Sequence, residues 1–235
     1  MTTTYRPGYS GSGPGDITPD GCAVELYKRL PPDDSPKIVA AAVPPPATLL
    51  ELGCGVGRMT RPLAALGFEV TAVDESAAML AEVTGARDTV RSPIERLELG
   101  RTFDVVLLAS FLVHAGDPAV RQGLLATCRR HVAPGGAVVI QREGEGWHTQ
   151  VPRERPLLDG VARITASVDL GDGVREMHAE YVFPDAEWQQ VFLSRPLTRA
   201  QFEEAVTAAD LRVERYLDDA RTWALARAGS GDGAA

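Results

Sequence analysis

Cysteine is scarce in this chain: Cys22, Cys54 and Cys128 are the only three in 235 residues, and no two form a C-x-x-C pair. An odd, sparse count argues against a disulfide scaffold and for a reducing cytoplasm, and no metal site is expected. Basic residues are also in deficit. Lys and Arg total 24 against 32 Asp and Glu, a formal net charge of −8, and they gather into no cluster or aromatic-basic stripe. Nucleic acid is therefore not an expected partner. No apolar run approaches membrane-spanning length and no signal peptide is read, so no membrane association is expected. No internal repeat is visible.

Hydrophobic residues make up 44% of the chain, enough for a sizeable core in one large α/β domain with additions. The densest information lies at residues 48–60, Thr-Leu-Leu-Glu-Leu-Gly-Cys-Gly-Val-Gly-Arg-Met-Thr. A short apolar run carries an acid, Glu51, and meets glycines on alternate positions, Gly53, Gly55 and Gly57. The pattern predicts a strand turning sharply into a helix, with backbone bare enough for a ligand to lie against it. A side chain at Gly53 or Gly55 is expected to stand where the ligand must lie. The dinucleotide fingerprint G-x-G-x-x-G does not fit, because its third glycine would fall on Arg58. An acid at the mouth suits a cation with an amino group, not a pyrophosphate.

A second strand is read at Phe68 to Val73, ending on Asp74-Glu75-Ser76. An acid at the end of the second strand of a βαβ unit is placed to accept hydrogen bonds from both hydroxyls of a ribose. Further strands are expected at 48–52, 88–91, 104–109 and 137–141, and helices at 57–66, 76–84 and 118–132. The last opens on Asp117-Pro118, a cap followed by proline at the first turn. Alternating strands and helices with short links imply a doubly wound, mostly parallel sheet with helices on both faces. Two short helices, at 20–30 and from Ser35, precede it.

The string Glu51, Gly53, Cys54, Gly55, Gly57 resembles motif I of the class I S-adenosylmethionine (SAM)-dependent methyltransferases. Val-Asp-Glu-Ser-Ala-Ala-Met-Leu, from Val73, looks like the family's second motif. The resemblance covers roughly residues 45–228 and is strongest before 142. It implies a Rossmann-like, seven-stranded sheet whose last strand is antiparallel, SAM as cofactor and S-adenosylhomocysteine as product. It assigns Asp74 and Glu75 to the ribose end and Met79 to the adenine, with a core methionine as the alternative. Where the family often has an acid that reads the adenine amino group, this chain has Ser92. That contact then passes to backbone near Pro93 and Ile94, or to Glu95. Ala109 and Ser110 are expected beneath the methionine part of SAM.

His114 follows on the substrate side. It is either a base for a hydroxyl or ammonium nucleophile, or a structural and substrate-shaping residue. Arg142 could pair with an acceptor carboxylate and Trp147 could wall an apolar acceptor, the other reading being an exposed polar loop. After the fifth strand, alternating runs at 161–169 and 174–183 joined at Gly171-Asp172-Gly173, with a third at about 188–194, predict a small antiparallel addition within about 150–195. Thr198 and Gln201 form a capping-box pattern, with Leu197 and Phe202 as a staple. Strands at about 211–218 and 222–228 finish the chain. The catalytic domain is expected over 17–228. Residues 1–16, rich in Thr, Gly, Ser and Pro, read as a mobile tail in which Tyr9 could serve as a lid residue, and 229–235 as a disordered tail.

Methyl transfer from SAM to an N, O or C nucleophile of a small molecule is the leading expectation, in a monomer or homodimer. The alternative is a SAM-binding relative that catalyses a rearrangement or cyclisation, or regulates a partner. A nicotinamide oxidoreductase is third, and Glu51 and Arg58 argue against it.

Overall fold

The computed structural model describes residues 4–229. In chain order its elements are β1 (Ser10–Ser12), α1 (Val24–Arg29), α2 (Ser35–Ala42), β2 (Ala47–Leu52), α3 (Thr60–Ala65), β3 (Phe68–Asp74), α4 (Ala77–Leu80), β4 (Asp88–Arg91) and β5 (Phe103–Leu108). There follow α5 (Pro118–His131), β6 (Val132–Gln141), β7 (Arg153–Pro156), β8 (Val161–Gly171), β9 (Val174–Phe183), β10 (Ala186–Ser194), α6 (Arg199–Ala208), β11 (Leu211–Tyr216) and β12 (Trp223–Ala228). The chain divides into two compact units.

The larger unit holds Pro32–His114, Pro118–Gly144 and Leu197–Ala235. Its sheet has seven strands in the order β11-β12-β6-β5-β2-β3-β4. Strands β6, β5, β2, β3 and β4 run parallel, and β12 is antiparallel to both β6 and β11. The expected doubly wound sheet with its antiparallel last strand is therefore present. Near-continuous apolar strands produce it: Leu49, Leu50 and Leu52 of β2, and Val105 to Leu108 of β5, are almost wholly buried. Strands buried on both faces carry such runs because helices cover each side. Leu49, Val70, Val105, Leu107 and Val139 pack on one face with Val39 of α2 and Leu63 of α3. The direction of winding changes between β2 and β5, and in such sheets ligands bind outside the carboxyl ends of the strands at that point.

The predicted capping box is made in full: Thr198 accepts from the Gln201 N–H, and Gln201 reaches back to the cap. Two helices are shorter than the pattern suggests. The one expected at 57–66 begins at Thr60, because Gly55 and Gly57 hold φ of +53° and +81°, outside the helical region. The one expected at 76–84 ends at Leu80, with Ser76 as its cap.

The other unit comprises Met1–Pro31, Ala115–Asp117 and Glu145–Pro196. Its five-stranded antiparallel sheet has the order β1-β10-β9-β8-β7, around a core of Ala23, Leu26, Phe183 and Trp188. The hairpin and its third strand fall where the sequence predicts them. The mobile N-terminal tail does not. Ser10–Ser12 pairs with Val191 to Gln189, and Tyr5 donates to the Gly11 carbonyl at 2.7 Å. The glycines that suggest disorder here serve close approach instead. A Cβ at Gly11 would stand 2.3 Å from the Gly21 carbonyl oxygen. Pairing with an existing edge overrides the weak intrinsic preference of Ser-Gly-Ser. Gly229 is held by the Asp210 carbonyl at 2.9 Å. Residues 1–3 of the expected leading tail and 230–235 of the trailing one lie outside the described residues.

Candidate functional site

At the carboxyl end of β2 the chain passes through three left-handed glycines, Gly53, Gly55 and Gly57, with φ of +73°, +53° and +81°. Their reasons differ. A Cβ at Gly53 would come within 2.7 Å of the Leu112 side chain, so the constraint expected from a ligand is imposed there by a neighbouring side chain. At Gly55 a Cβ would meet only the Met79 sulfur, at 4.0 Å, so this is the backbone left open. The N–H of Gly55 donates to Asp74 Oδ2 at 2.9 Å, and the N–H of Ser76 donates to Oδ1 at 2.8 Å. The two strand ends are thus tied by one carboxylate.

Glu51 lies beneath this turn and is 3% exposed. Thr60 donates its hydroxyl to Glu51 Oε2 at 2.6 Å. Removal from water lifts the Glu51 carboxyl to about 7, against the opposing pull of the Thr60 bond and the Arg58 charge and with a further push from Asp74. Burying a carboxylate with so little compensation is costly unless a cation arrives. Burial also raises the Cys54 thiol far above its usual range, so Cys54 is inert packing in the turn.

Residues 50–140 match the methyltransferase domain family. A ubiquinone biosynthesis O-methyltransferase from Caulobacter sp. (strain K31) is 40% identical over 101 residues, which is 39% of this chain and 39% of that protein. The match therefore spans well under half of that relative's length. CalS10, an amino pentose methyltransferase from Micromonospora echinaspora solved with SAM bound, is 25% identical, covering 82% of this chain and 88% of its own with a TM-score of 0.61. The CcbJ methyltransferase from Streptomyces caelestis superposes with a TM-score of 0.70 at 22% identity, over 88% of this chain and 96% of that one.

Residues 50–140 are thus similar to a methyltransferase domain, and the fold is that of the solved methyltransferases.

The glycine turn suits a ligand that is cationic at one end and offers vicinal hydroxyls at the other. Glu51 is a buried acid short of partners, Gly55 leaves a cradle a side chain would fill, and Asp74 is an acceptor at the next strand end. Met79 is buried beside Gly55. Glu75 is half-buried, its carbonyl accepting from Arg91 at 3.0 Å. Ser92 spends its hydroxyl on the Pro93 carbonyl at 2.8 Å, and Ile94 adjoins Gly53. Glu95 instead packs against Gly123 of α5. Ala109 and Ser110 follow β5 at the same edge.

Two sequence expectations at the carboxyl edge of the sheet need correction. His114 is 3% exposed, and its Nε2 accepts the backbone N–H of Glu143 at 2.9 Å. A lone pair already engaged in that bond is not available to take an acceptor's proton, which favours the structural reading of His114 over the base. Arg142 is 1% exposed and spans the Leu197 carbonyl at 2.7 Å and the Arg221 carbonyl at 3.4 Å, with its guanidinium 5.2 Å over the Phe202 ring. Those bonds tie the end of β6 to the segment before α6 and to the connection between β11 and β12, and the side chain is not presented to a carboxylate. Arg142→Leu should lower thermal stability by about 1–3 kcal/mol through orphaned carbonyls. Calorimetric melting checks this, and SAM affinity should stay unchanged.

Tyr9 and Trp147 belong to the antiparallel unit. Tyr9 is half-buried, its hydroxyl donating to the Leu193 carbonyl at 3.4 Å, and burial raises its pKa. Trp147 stands edge-on to His148 at 4.9 Å, with Arg153 over its ring at 5.6 Å. His148 is itself buried against the Ser194 hydroxyl at 2.7 Å. Sequence reasoning missed Thr60 and Gln141. Thr60 carried one signal, its place within the helix expected at 57–66, just after Glu51. Gln141 carried none. Among the described residues no cluster of His, Cys, Asp and Glu is placed to hold a metal ion, and no helix is long and apolar enough to cross a membrane.

Proposed function

We propose that this chain transfers the methyl group of SAM to an N, O or C nucleophile of a small molecule. The observation that carries the reading is Glu51, a buried carboxyl held up near neutrality by desolvation, with Gly55 and Asp74 on either side of the open turn. Glu51 pairs with the ammonium of the amino-acid end, and Asp74 accepts from the ribose hydroxyls. Met79, with backbone near Ser92, Pro93 and Ile94, lines the adenine. Ala109 and Ser110 underlie the methionine end. SAM supplies an already activated sulfonium methyl, so the protein's part is to orient the nucleophile and exclude water. With His114 engaged in a structural bond, proton removal falls to solvent or to the acceptor itself.

Likeness to a ubiquinone biosynthesis O-methyltransferase and to an amino pentose methyltransferase supports a small-molecule acceptor. Calorimetry with SAM and with NAD(H) tests the cofactor: SAM should bind in the micromolar range and NAD(H) should not. Release of S-adenosylhomocysteine on adding an acceptor separates methyl transfer from a rearrangement or a regulatory role.

The same site predicts a pH dependence. Protonated Glu51 is neutral and attracts the ammonium less, so apparent SAM affinity should fall as pH drops below about 7. The loss approaches tenfold per pH unit once the proton is fully competitive. Binding at pH 7 should release protons, which titration in buffers of different ionisation enthalpy measures. A flat profile between pH 6 and 8 with no proton release would place the ammonium elsewhere.

A further inference from the structure

Just past β5 the backbone enters the left-handed region twice in succession, at Ser110 (φ +54°) and Phe111 (φ +60°). Neither is glycine, and Phe111 is 38% exposed. Non-glycine residues in this region cost about 1–3 kcal/mol each and persist only where the surroundings over-determine them. Burial does not hold this turn, since Ser110 is exposed as well. Backbone bonds close it, from the Leu112 N–H to the Ala109 carbonyl at 3.3 Å and from the His114 N–H to the Phe111 carbonyl at 2.9 Å, and two side-chain bonds of opposite sense anchor it. Gln141, the last residue of β6, accepts the Ser110 N–H on Oε1 at 2.8 Å. His114, at the far end of the turn, accepts the Glu143 N–H on Nε2 at 2.9 Å. Each partner segment thus lends a side chain to the backbone of the other. The strand end that receives them is fixed in turn: Gln141 is in register with Trp223, and the Arg142 N–H donates to the Thr222 carbonyl at 2.7 Å. Between the two bonds Leu112 reaches the glycine turn at Gly53.

We propose that Gln141 and His114 are positioning residues for SAM, a reciprocal clamp that holds the Ser110–Phe111 turn against the Gly53 loop. The proposal rests on the SAM-binding reading above. Neither side chain needs to touch the cofactor. The clamp keeps the turn in its costly conformation, so that the ligand does not have to order it on binding.

The test is a double-mutant cycle read by calorimetry with SAM alone. Gln141→Leu and His114→Leu should each weaken binding by about tenfold, the size of one lost hydrogen bond plus part of the turn strain. Glycine adopts the left-handed region without the clamp. In a Ser110→Gly background, Gln141→Leu should therefore cost less than about twofold, whereas simple loss of sheet stability would cost the same in both backgrounds. Amide exchange of Ser110 should quicken in Gln141→Leu, and that of Glu143 in His114→Leu. Equal losses in the two backgrounds, or variants that bind like wild type, overturn the clamp and leave the SAM reading intact. Wild-type protein that fails to bind SAM overturns both. Should the leucine variants not fold, unprotected Ser110 and Glu143 amides in the wild type would overturn the clamp directly.

Discussion

Glu51→Gln should do two opposite things: weaken SAM binding by about ten- to a hundredfold, the worth of one charge-assisted hydrogen bond, and stabilise the ligand-free protein. The second effect follows from linkage. Folding lifts the Glu51 carboxyl from 4.5 to about 7. Between those values the folded state keeps a proton that the unfolded state has released. The stability contributed by Glu51 therefore falls as pH rises through that window and stays low above it. Each tenfold change in proton affinity is worth about 1.4 kcal/mol, so the penalty above pH 7 is on the order of 3 kcal/mol. A neutral amide of the same shape removes most of it and still accepts from Thr60. At pH 8 the ligand-free variant should melt several degrees higher than wild type, with the gap closing toward pH 5. A variant that melts lower at pH 8, or that binds SAM normally, would show that Glu51 is a structural acid. Function kept at the expense of stability is the usual signature of a site held ready for a missing charge.

That signature was half visible in the sequence. An acid two residues before the first glycine marked Glu51, and periodicity marked the strand that buries it. The position of Thr60 beside it depends on where the helix begins, which the positive φ values at Gly55 and Gly57 decide. The parallel sheet was legible because β2, β3, β5 and β6 carry long apolar runs, and the hairpin because Gly171-Asp172-Gly173 punctuates two alternating runs. The edge strand Ser10–Ser12 was not, since its only warrant is a partner nearly two hundred residues away. The carboxylate-pairing role read for Arg142 and the base role offered for His114 failed for a related reason. Each sits at the carboxyl edge where functional residues gather, yet the outer guanidinium nitrogens of Arg142 go to two carbonyls and Nε2 of His114 to an N–H from distant segments. Position along the chain gave their neighbourhood, and only tertiary structure gave their partners.

Asp74 should prove the more damaging site to lose, because its carboxylate serves the protein and the ligand together. Asp74→Ala removes the acceptor for the Gly55 and Ser76 N–H groups, bonds of 2.9 and 2.8 Å, as well as the proposed acceptor for the ribose. Loss of a charged acceptor costs about 1.5–3 kcal/mol, and the slackened glycine turn adds to it, so SAM binding should weaken by at least about a hundredfold. Asp74→Asn keeps the shape but turns one oxygen into a donor. An amide NH2 then faces the Gly55 or the Ser76 N–H, and binding should still weaken by about tenfold or more. Methylthioadenosine separates this role from that of Glu51, since it retains the ribose and adenine but lacks the amino-acid end. Its affinity should fall with Asp74→Ala and be unmoved by Glu51→Gln, whereas SAM should lose with both. If Asp74→Ala, still folded, bound methylthioadenosine as tightly as wild type does, the ribose would have to lie elsewhere, and Asp74 would be only the tie between two strand ends.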